Sequence, residues 1–345
     1  MKRWIVKGGA TSLDQLVLEE VAIPGPGVGQ VRVKVHAVSL NRRDLLLVTG
    51  AYGVAPSDFV AVSDGAGEVD AVGPDVTEWA IGDRVTGNYY PSWADGPPAP
   101  DQGWGLGSPG QDGMLAEYVI LDARRLTAAP ETLSFEEAAC LPCAGLTAWT
   151  ALHGNRPYTN RISQGDKVLV TGTGSVSVLA LLLAKAAGAD VVATTGSDSK
   201  IESIKALGAG DVIHYGTDAN WGERAAEGVG GFNRVVNAAG SASLDQCIVA
   251  LAPGGEIALM GLFEHAEAAP NFVLLMMKGG SIRGISVGSA MAYRDLVDFV
   301  DRHGIKPPIA RRFTFSEARE AYQALETSSD LGKIVIMVAG RVPQP

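Results

Sequence analysis

The sequence predicts an α/β protein in two parts, a doubly wound parallel sheet and a second, β-rich body. Three observations carry the prediction. Between residues 167 and 286 short apolar runs alternate with helical patterns, as βαβ construction requires. The first 130 residues read instead as strands separated by turns, and 31-VRVKVHAV-38 alternates apolar and polar side chains with period two. After Pro307-Pro308 the chain adds a strand, a helix and a strand for which a completed six-stranded sheet has no place.

In chain order, 31–38 is a half-buried strand, followed by strand-like pieces at 67-GEVDAVG-73, 82-GDRVTG-87 and 116-AEYVILD-122. Residues 91–113 form a proline- and glycine-rich loop that keeps Trp93 and Trp104, so a packed lid or wall is expected. Six strands follow, at 167–171, 191–195, 211–214, 234–237, 256–260 and 282–287, with helices at 178–188, 199–208 and 243–252. Two of these helices stop at a glycine, as helix ends often do. The first helix is apolar on nearly every side, which suits a helix sandwiched within the protein. In the tail, strand 311-RRFTF-315 leads to a helix with Ser316 as N-cap, then to strand 333-KIVIMV-338. The tail is expected to return to the β-rich part. That divides the chain into 1–135 with 306–345 and 136–305, with a ligand cleft between the two.

Composition narrows the function. The 345 residues are 46% hydrophobic and 19% charged, which fits a folded enzyme and not a disordered chain. Net charge is −10, and basic residues cluster no further than the pairs Arg42-Arg43 and Arg311-Arg312, which argues against nucleic-acid binding. No apolar run reaches the roughly 18 residues that cross a bilayer, and no apolar signal core follows the N-terminal basic residues. A cytoplasmic protein without membrane contact is expected. Three cysteines make no disulfide framework, and Cys140-x-x-Cys143, carrying Pro142 in apolar surroundings, reads as a buried, inert pair.

The chemistry-bearing motif is 172-GTGSVS-177, set between strand 167–171 and the following helix. Gly172 permits the tight turn, and Gly174 lets the backbone approach a pyrophosphate where Ser175 and Val176 open the helix. Ser177 stands where the dinucleotide fingerprint has a third glycine and is small enough to substitute. An NAD site wants a carboxylate at the end of the second strand, but this one ends 194-TTGSDSK-200. There Ser197 and Lys200 suit a 2′-phosphate, each charge-assisted bond giving about 1.5–3 kcal/mol. Asp198 would repel that phosphate if it turned inward, whereas a helix N-cap role would keep it away. The cofactor expected is NADP(H).

The segments 39-SLNRRDLL-46, 63-SDGAGEVDAVG-73, 81-IGDRV-85, 138-AACLPCAGLTAW-149, the glycine turn and 332-GKIVI-336 resemble the medium-chain dehydrogenase/reductase superfamily, specifically its zinc-independent, quinone-reductase-like branch. The resemblance implies a chaperonin-10-like catalytic domain, a Rossmann domain, hydride transfer and a homodimer or homotetramer. Zinc-dependent relatives carry cysteine, histidine and cysteine at the positions of Asn41, Ser63 and Cys143, and four cysteines in the region of 91–113. With only Cys143 kept, both metal sites are expected to be absent. The five histidines (His36, His153, His214, His265, His303) show no metal-ligand spacing. By resemblance Asn41 lies beside the nicotinamide and holds a substrate oxygen or the ribose, the alternative being a plain turn residue. Asp44 orients the loop through Arg43 or makes a surface salt bridge; Tyr52 donates a proton or merely packs. Thr147 reaches the nicotinamide end, and Tyr215 flanks the adenosine or its phosphate. Ala239, Gly261, Leu262 and Phe263 follow the fourth and fifth strands, Val287 and Ser289 meet the carboxamide, and Lys333 reaches the pyrophosphate or stays exposed.

The function expected is NADPH-dependent, metal-independent hydride transfer to a quinone or activated alkene. A zinc-free alcohol dehydrogenase or carbonyl reductase is the alternative enzyme, and a cofactor-binding structural or regulatory protein the alternative outside catalysis. Trp93, Trp104, Tyr52 and Phe263 suggest an apolar or aromatic substrate. The apolar segment 272–287 offers a strand for edge-to-edge pairing with a second copy.

Overall fold

The computed structural model describes residues 1–98, 102–261 and 269–339. The chain divides into two compact units, Met1–Leu146 with Gly288–Pro345, and Thr147–Val287.

In the second unit six parallel strands stand in the order Asp211–His214, Asp190–Thr195, Lys167–Thr171, Phe232–Asn237, Leu251–Leu259, Ser281–Gly284. Counted along the chain this is 3-2-1-4-5-6, the doubly wound order. The central strand is apolar on both faces, with Val168, Leu169 and Val170 all buried. Helix Ser175–Ala186 buries Val178, Leu179, Ala180, Leu181, Leu183 and Ala184, so it is covered on nearly every side as its composition implies. Two boundaries differ from expectation. The helix expected over 243–252 ends at Ala250 because Leu251 already pairs with Phe232, and the last strand stops at Gly284. The first and fourth strands are neighbours and carry their crossovers in opposite directions, so their C-terminal ends, Thr171 and Asn237, mark the switch point where such sheets bind ligands.

The first unit is built on strand Gln30–Ser39, whose Val31, Val33 and Val35 are buried between polar neighbours. It pairs antiparallel with Asp64–Val72, Tyr118–Asp122 and Lys333–Met337. The C-terminal strand therefore does return to the β-rich sheet, with Ile309–Thr314 alongside it. A hairpin of Lys2–Val6 and Leu16–Glu20, which no sequence pattern announced, adds a smaller sheet with Phe59–Val60. Ser316 is not the cap of the tail helix: a 3-10 turn, Phe315–Glu317, precedes helix Ala318–Thr327, and Thr314 caps that turn, its N–H donating to Glu317 Oε2 at 2.7 Å. Helix Ala290–His303 packs in this unit, where Tyr293 Oη meets Thr86 Oγ1 at 2.9 Å and Asp301 accepts from the N–H groups of Glu131 and Thr132. In the proline-rich loop Trp93 is buried, but Trp104 is 58% exposed, so only one of the two tryptophans packs. No described helix is long and apolar enough to cross a membrane.

Candidate active site

The glycine turn of the second unit has the shape its sequence implies. Gly172 takes φ +73°, and its N–H donates to Thr194 Oγ1 at 3.1 Å. Gly174 ends the turn as N-cap of the 12-residue helix Ser175–Ala186. A Cβ placed on Gly174 would meet no atom within 4 Å, which leaves the free N–H groups of the first helical turn open to a phosphate. Ser177 is the missing third glycine explained: it is buried and its hydroxyl donates to Thr171 O at 2.8 Å, tying the helix to the strand that precedes it.

At the end of the second strand Ser197 and Lys200 lie half-buried, and Lys200 Nζ donates to Thr173 Oγ1 at 3.2 Å, on the glycine turn itself. Tyr215 is exposed, and its hydroxyl lies so close over Gly196 that a Cβ there would stand 2.6 Å away. Asp198 does not cap the following helix; its carboxylate is 3.9 Å from His214 Nε2, and Lys200 occupies the N-cap position. The structure thus gathers Gly172, Gly174, Ser175, Val176, Lys200, Ser197 and Tyr215 along one edge of the sheet. Ala239 and Gly261 follow the neighbouring strands, and both are held by Asn237. Its Oδ1 accepts from the N–H groups of Ala239 and Gly240, and its backbone carbonyl accepts from Gly261 N. Sequence reasoning missed Asn237 and Thr194, whose only signal is that they are polar residues at the C-terminal ends of their strands. Leu262 and Phe263 lie outside the described residues. Val287 sits at φ +57°, a strained conformation for a β-branched residue. Thr147 is buried.

A second constellation lies in the first unit. Asn41 is the N-cap of helix Arg42–Val48, in the turn after strand Gln30–Ser39, and its N–H donates to Asp44 Oδ2 at 2.8 Å. Asp44 is fully enclosed. Its Oδ1 accepts from Arg43 Nη1 at 3.1 Å and from Ser63 N at 3.3 Å, so the pair with Arg43 is buried and not a surface salt bridge. Burial pushes the Asp44 carboxyl up to about 6 against the pull of Arg43. Arg43 also donates to Leu106 O at 2.8 Å and lies 5.1 Å from the Tyr89 ring centroid, a contact absent from the sequence reading. Ser63 Oγ donates to Asp64 Oδ1 at 2.8 Å, while Cys143 N donates to Asp64 Oδ2 at 3.0 Å. Tyr52 is partly exposed; burial raises its phenol, and the Arg43 charge opposes that shift. Ser289 is buried, with Oγ accepting from Ala292 N as N-cap of its helix.

Lys333 departs from expectation. It is not exposed: only 1% of it meets solvent, and Nζ donates to Leu40 O at 2.7 Å and Asn41 Oδ1 at 2.5 Å. A side chain entering the interior from strand Lys333–Met337 has no route back to solvent, so it must find buried acceptors. The same contact decides whether a catalytic zinc fits here. The three positions offer an amide, a hydroxyl and one thiol, and a cationic side chain already binds the amide oxygen. Zinc requires anionic or neutral N, S or O donors without a competing cation, so these residues do not fit it. Among the described residues no three His, Cys, Asp or Glu side chains gather to hold a metal ion.

Comparison with known proteins agrees with this layout. Residues 27–131 match the alcohol dehydrogenase GroES-like domain family and residues 175–302 the zinc-binding dehydrogenase family. A zinc-type alcohol dehydrogenase-like protein of Schizosaccharomyces pombe is 37% identical over 97% of this chain and 99% of its own. The 2-methylene-furan-3-one reductase of Solanum lycopersicum is 30% identical over 94% of this chain and 76% of its own. Among solved structures, a Sinorhizobium meliloti 1021 protein assigned as an alcohol dehydrogenase superposes with TM-score 0.87 at 38% identity, covering 98% of this chain and 100% of the other. An NAD-dependent alcohol dehydrogenase gives TM-score 0.87 at 33% identity with the same coverage. The GroES-like and doubly wound units define an oxidoreductase class. The chain belongs to the medium-chain alcohol dehydrogenase/reductase superfamily.

Proposed function

We propose that the protein is an NADPH-dependent oxidoreductase that works without a metal, passing a hydride to a quinone or to the β-carbon of an activated alkene. The observation that carries this reading is the buried contact of Lys333 Nζ with Asn41 Oδ1, which sets a positive charge among the positions that hold zinc in metal-dependent relatives. A conjugated acceptor spreads developing charge over a longer system, so hydrogen bonds suffice where a simple ketone would call for a Lewis acid. The reductase from Solanum lycopersicum supports an enone-type acceptor.

When bound, the nicotinamide cofactor supplies the hydride. The open turn at Gly172 and Gly174, with Ser175 and Val176, holds the pyrophosphate against the helix N–H groups. Ser197, Lys200 and Tyr215 recognise the 2′-phosphate, with Ala239, Gly261, Thr147, Val287 and Ser289 along the rest of the nucleotide. Asn41 holds the acceptor oxygen, Asp44 fixes the Asn41 backbone, and Tyr52 supplies the proton. The substrate is a small apolar or aromatic molecule. Three free cysteines suit a cytoplasmic setting. Phe272, Val273, Met276 and Met277 are exposed on one short helix, and Ser281–Gly284 is an open sheet edge in the same unit. Together they support a homodimer or homotetramer.

The test is NADPH oxidation by the metal-free chain against a quinone, an enone and an aldehyde. Turnover of the first two that survives chelation is expected. Stoichiometric zinc with chelator-sensitive turnover sinks the reading. Preference for the aldehyde would favour instead a zinc-free alcohol dehydrogenase or carbonyl reductase, as the alcohol dehydrogenase relatives suggest.

A further inference from the structure

Two arginines are buried among the described residues, and they use their guanidinium donors differently. Arg234 donates through Nη1 to Ala151 O and Glu256 Oε1 and through Nη2 to Asn160 O, and its Nε is sealed in without a partner. That is a structural arginine. Arg43 donates only through Nη1, to Asp44 Oδ1 at 3.1 Å and to Leu106 O at 2.8 Å. Its Nε and Nη2 make no hydrogen bond among the described residues, and neither is sealed from solvent. These two nitrogens share one edge of the guanidinium plane and send their N–H bonds out in parallel, the fork that receives both oxygens of a carboxylate. The edge is held in place. Nη1 is fixed by Asp44, whose other oxygen accepts from Asn41 N at 2.8 Å, and the guanidinium carbon lies 5.1 Å from the Tyr89 ring centroid.

The surroundings suit a ligand with an apolar body and an anionic end. The Arg43 charge reaches Tyr52, which is 37% exposed, and the half-buried thiol of Cys143. Tyr89 meets Tyr90 edge-on at 4.7 Å, and Tyr90 meets Trp93 at 5.8 Å, so a run of three rings continues from the guanidinium. A buried cation with unused donors is costly unless an anion completes it. Asp44 takes a single N–H of Arg43, and its carboxyl, pushed up to about 6 by burial, can accept a proton when a second carboxylate arrives. We propose that Arg43 is a specificity-determining residue whose Nε–Nη2 edge binds a carboxylate carried by the acceptor, so that the preferred substrate is an α,β-unsaturated carbonyl compound with an acid group. The inference rests on the proposed function and narrows its substrate class. No bond forms or breaks at Arg43, which holds the acceptor by one end while the hydride is transferred elsewhere on it.

The test pairs an acid with its ester. 3-Benzoylacrylate and its methyl ester share a ring and a conjugated ketone and differ at the carboxylate. The ester is the better electrophile, so a preference for the acid has to come from binding. In the NADPH assay the native chain should show kcat/KM about tenfold or more higher for the acid, mostly through KM. In R43Q the acid-to-ester ratio should fall about tenfold or more, and the ratio cancels any damage common to both substrates. R43K keeps the charge without the planar edge and should recover about a third of the native ratio or less. Titrated into the native NADP⁺ complex, the unreactive 3-benzoylpropanoate should bind about tenfold more tightly than its methyl ester, a comparison that needs no variant to fold. Equal treatment of acid and ester by the native chain, an unchanged ratio in R43Q, or full recovery in R43K overturns the proposal. So does an R43Q chain whose only loss is NADP⁺ affinity, which would assign the fork to the cofactor. A native chain that reduces no acceptor but binds 3-benzoylpropanoate through Arg43 would overturn the proposed function and leave this assignment standing.

Discussion

His153→Leu isolates a histidine whose basicity burial suppresses. His153 ends helix Leu146–His153, is 2% exposed, and lies against Trp149 with ring centroids 4.1 Å apart and planes tilted by 54°. Neither ring nitrogen has a hydrogen-bond partner among the described residues. Burial drives its pKa down from 6.5 to about 3, and the Arg161 and Arg234 charges add to the effect. A base with a lowered folded pKa leaves the unfolded chain holding the extra proton between about pH 3 and 6.5, so stability is lost as pH falls through that window. At pH 5 the loss is 1.5 pH units below 6.5, about 2 kcal/mol at 1.36 kcal/mol per unit. At pH 7.5 the histidine is neutral in both states, and leucine removes unsatisfied polar atoms worth about 1–3 kcal/mol against about 0.5–1.5 kcal/mol of lost ring packing.

The wild-type curve alone is not diagnostic, because Asp44 works the other way. Its folded pKa is raised by burial to about 6, so its contribution is present below 3.8 and lost as pH rises through about 6. The difference between variant and wild type cancels that term. Urea unfolding of both proteins at pH 7.5, 6 and 5 should show the leucine variant gaining about 2 kcal/mol relative to wild type between the first and last pH. Parallel stability curves would refute the reasoning, since they would mean that His153 takes up its proton in the folded chain as readily as in the unfolded one.

Three further outcomes are expected. Gly174→Val, at an ordinary φ of −71° with no atom within 4 Å of its Cβ, should leave the unfolding midpoint unchanged and weaken NADPH at least about tenfold by calorimetric titration. Retained affinity would show that no phosphate approaches there. Lys200→Ala should cost NADPH about 1.5–3 kcal/mol and NADH almost nothing; equal losses for both would remove the lysine from 2′-phosphate recognition. M276D/M277D, at positions 75% and 79% exposed, should lower the mass of the assembly in size-exclusion chromatography with light scattering, and an unchanged assembly would clear that helix of any role.

Much of this fold was legible in advance because its parts are locally encoded. The strands of the parallel sheet carry short apolar runs such as 168–170 and 235–236, and the glycine turn needs only its own residues to adopt its shape. Ser177 illustrates the boundary: its size could be read from the sequence, but its bond to Thr171 O could not. Boundaries that depend on partners moved, as when Leu251 left its helix to pair with Phe232. Trp104 shows the limit of composition, since a tryptophan in a glycine-rich loop packs only where a surface is brought to meet it.

By itself the sequence determined the two-part α/β architecture, the approximate places of the six parallel strands and the tight turn at Gly172, all set by periodicity and by residues a few positions apart. What Lys333 does was decided by tertiary structure alone. A lysine opening a C-terminal strand reads as exposed or as a phosphate ligand, because a charged side chain ordinarily seeks water. Here 292 residues separate it from Asn41, and only the antiparallel register of the β-rich sheet brings the two together. Enclosed there, its charge has no solvent to satisfy it and is committed to Leu40 O and Asn41 Oδ1.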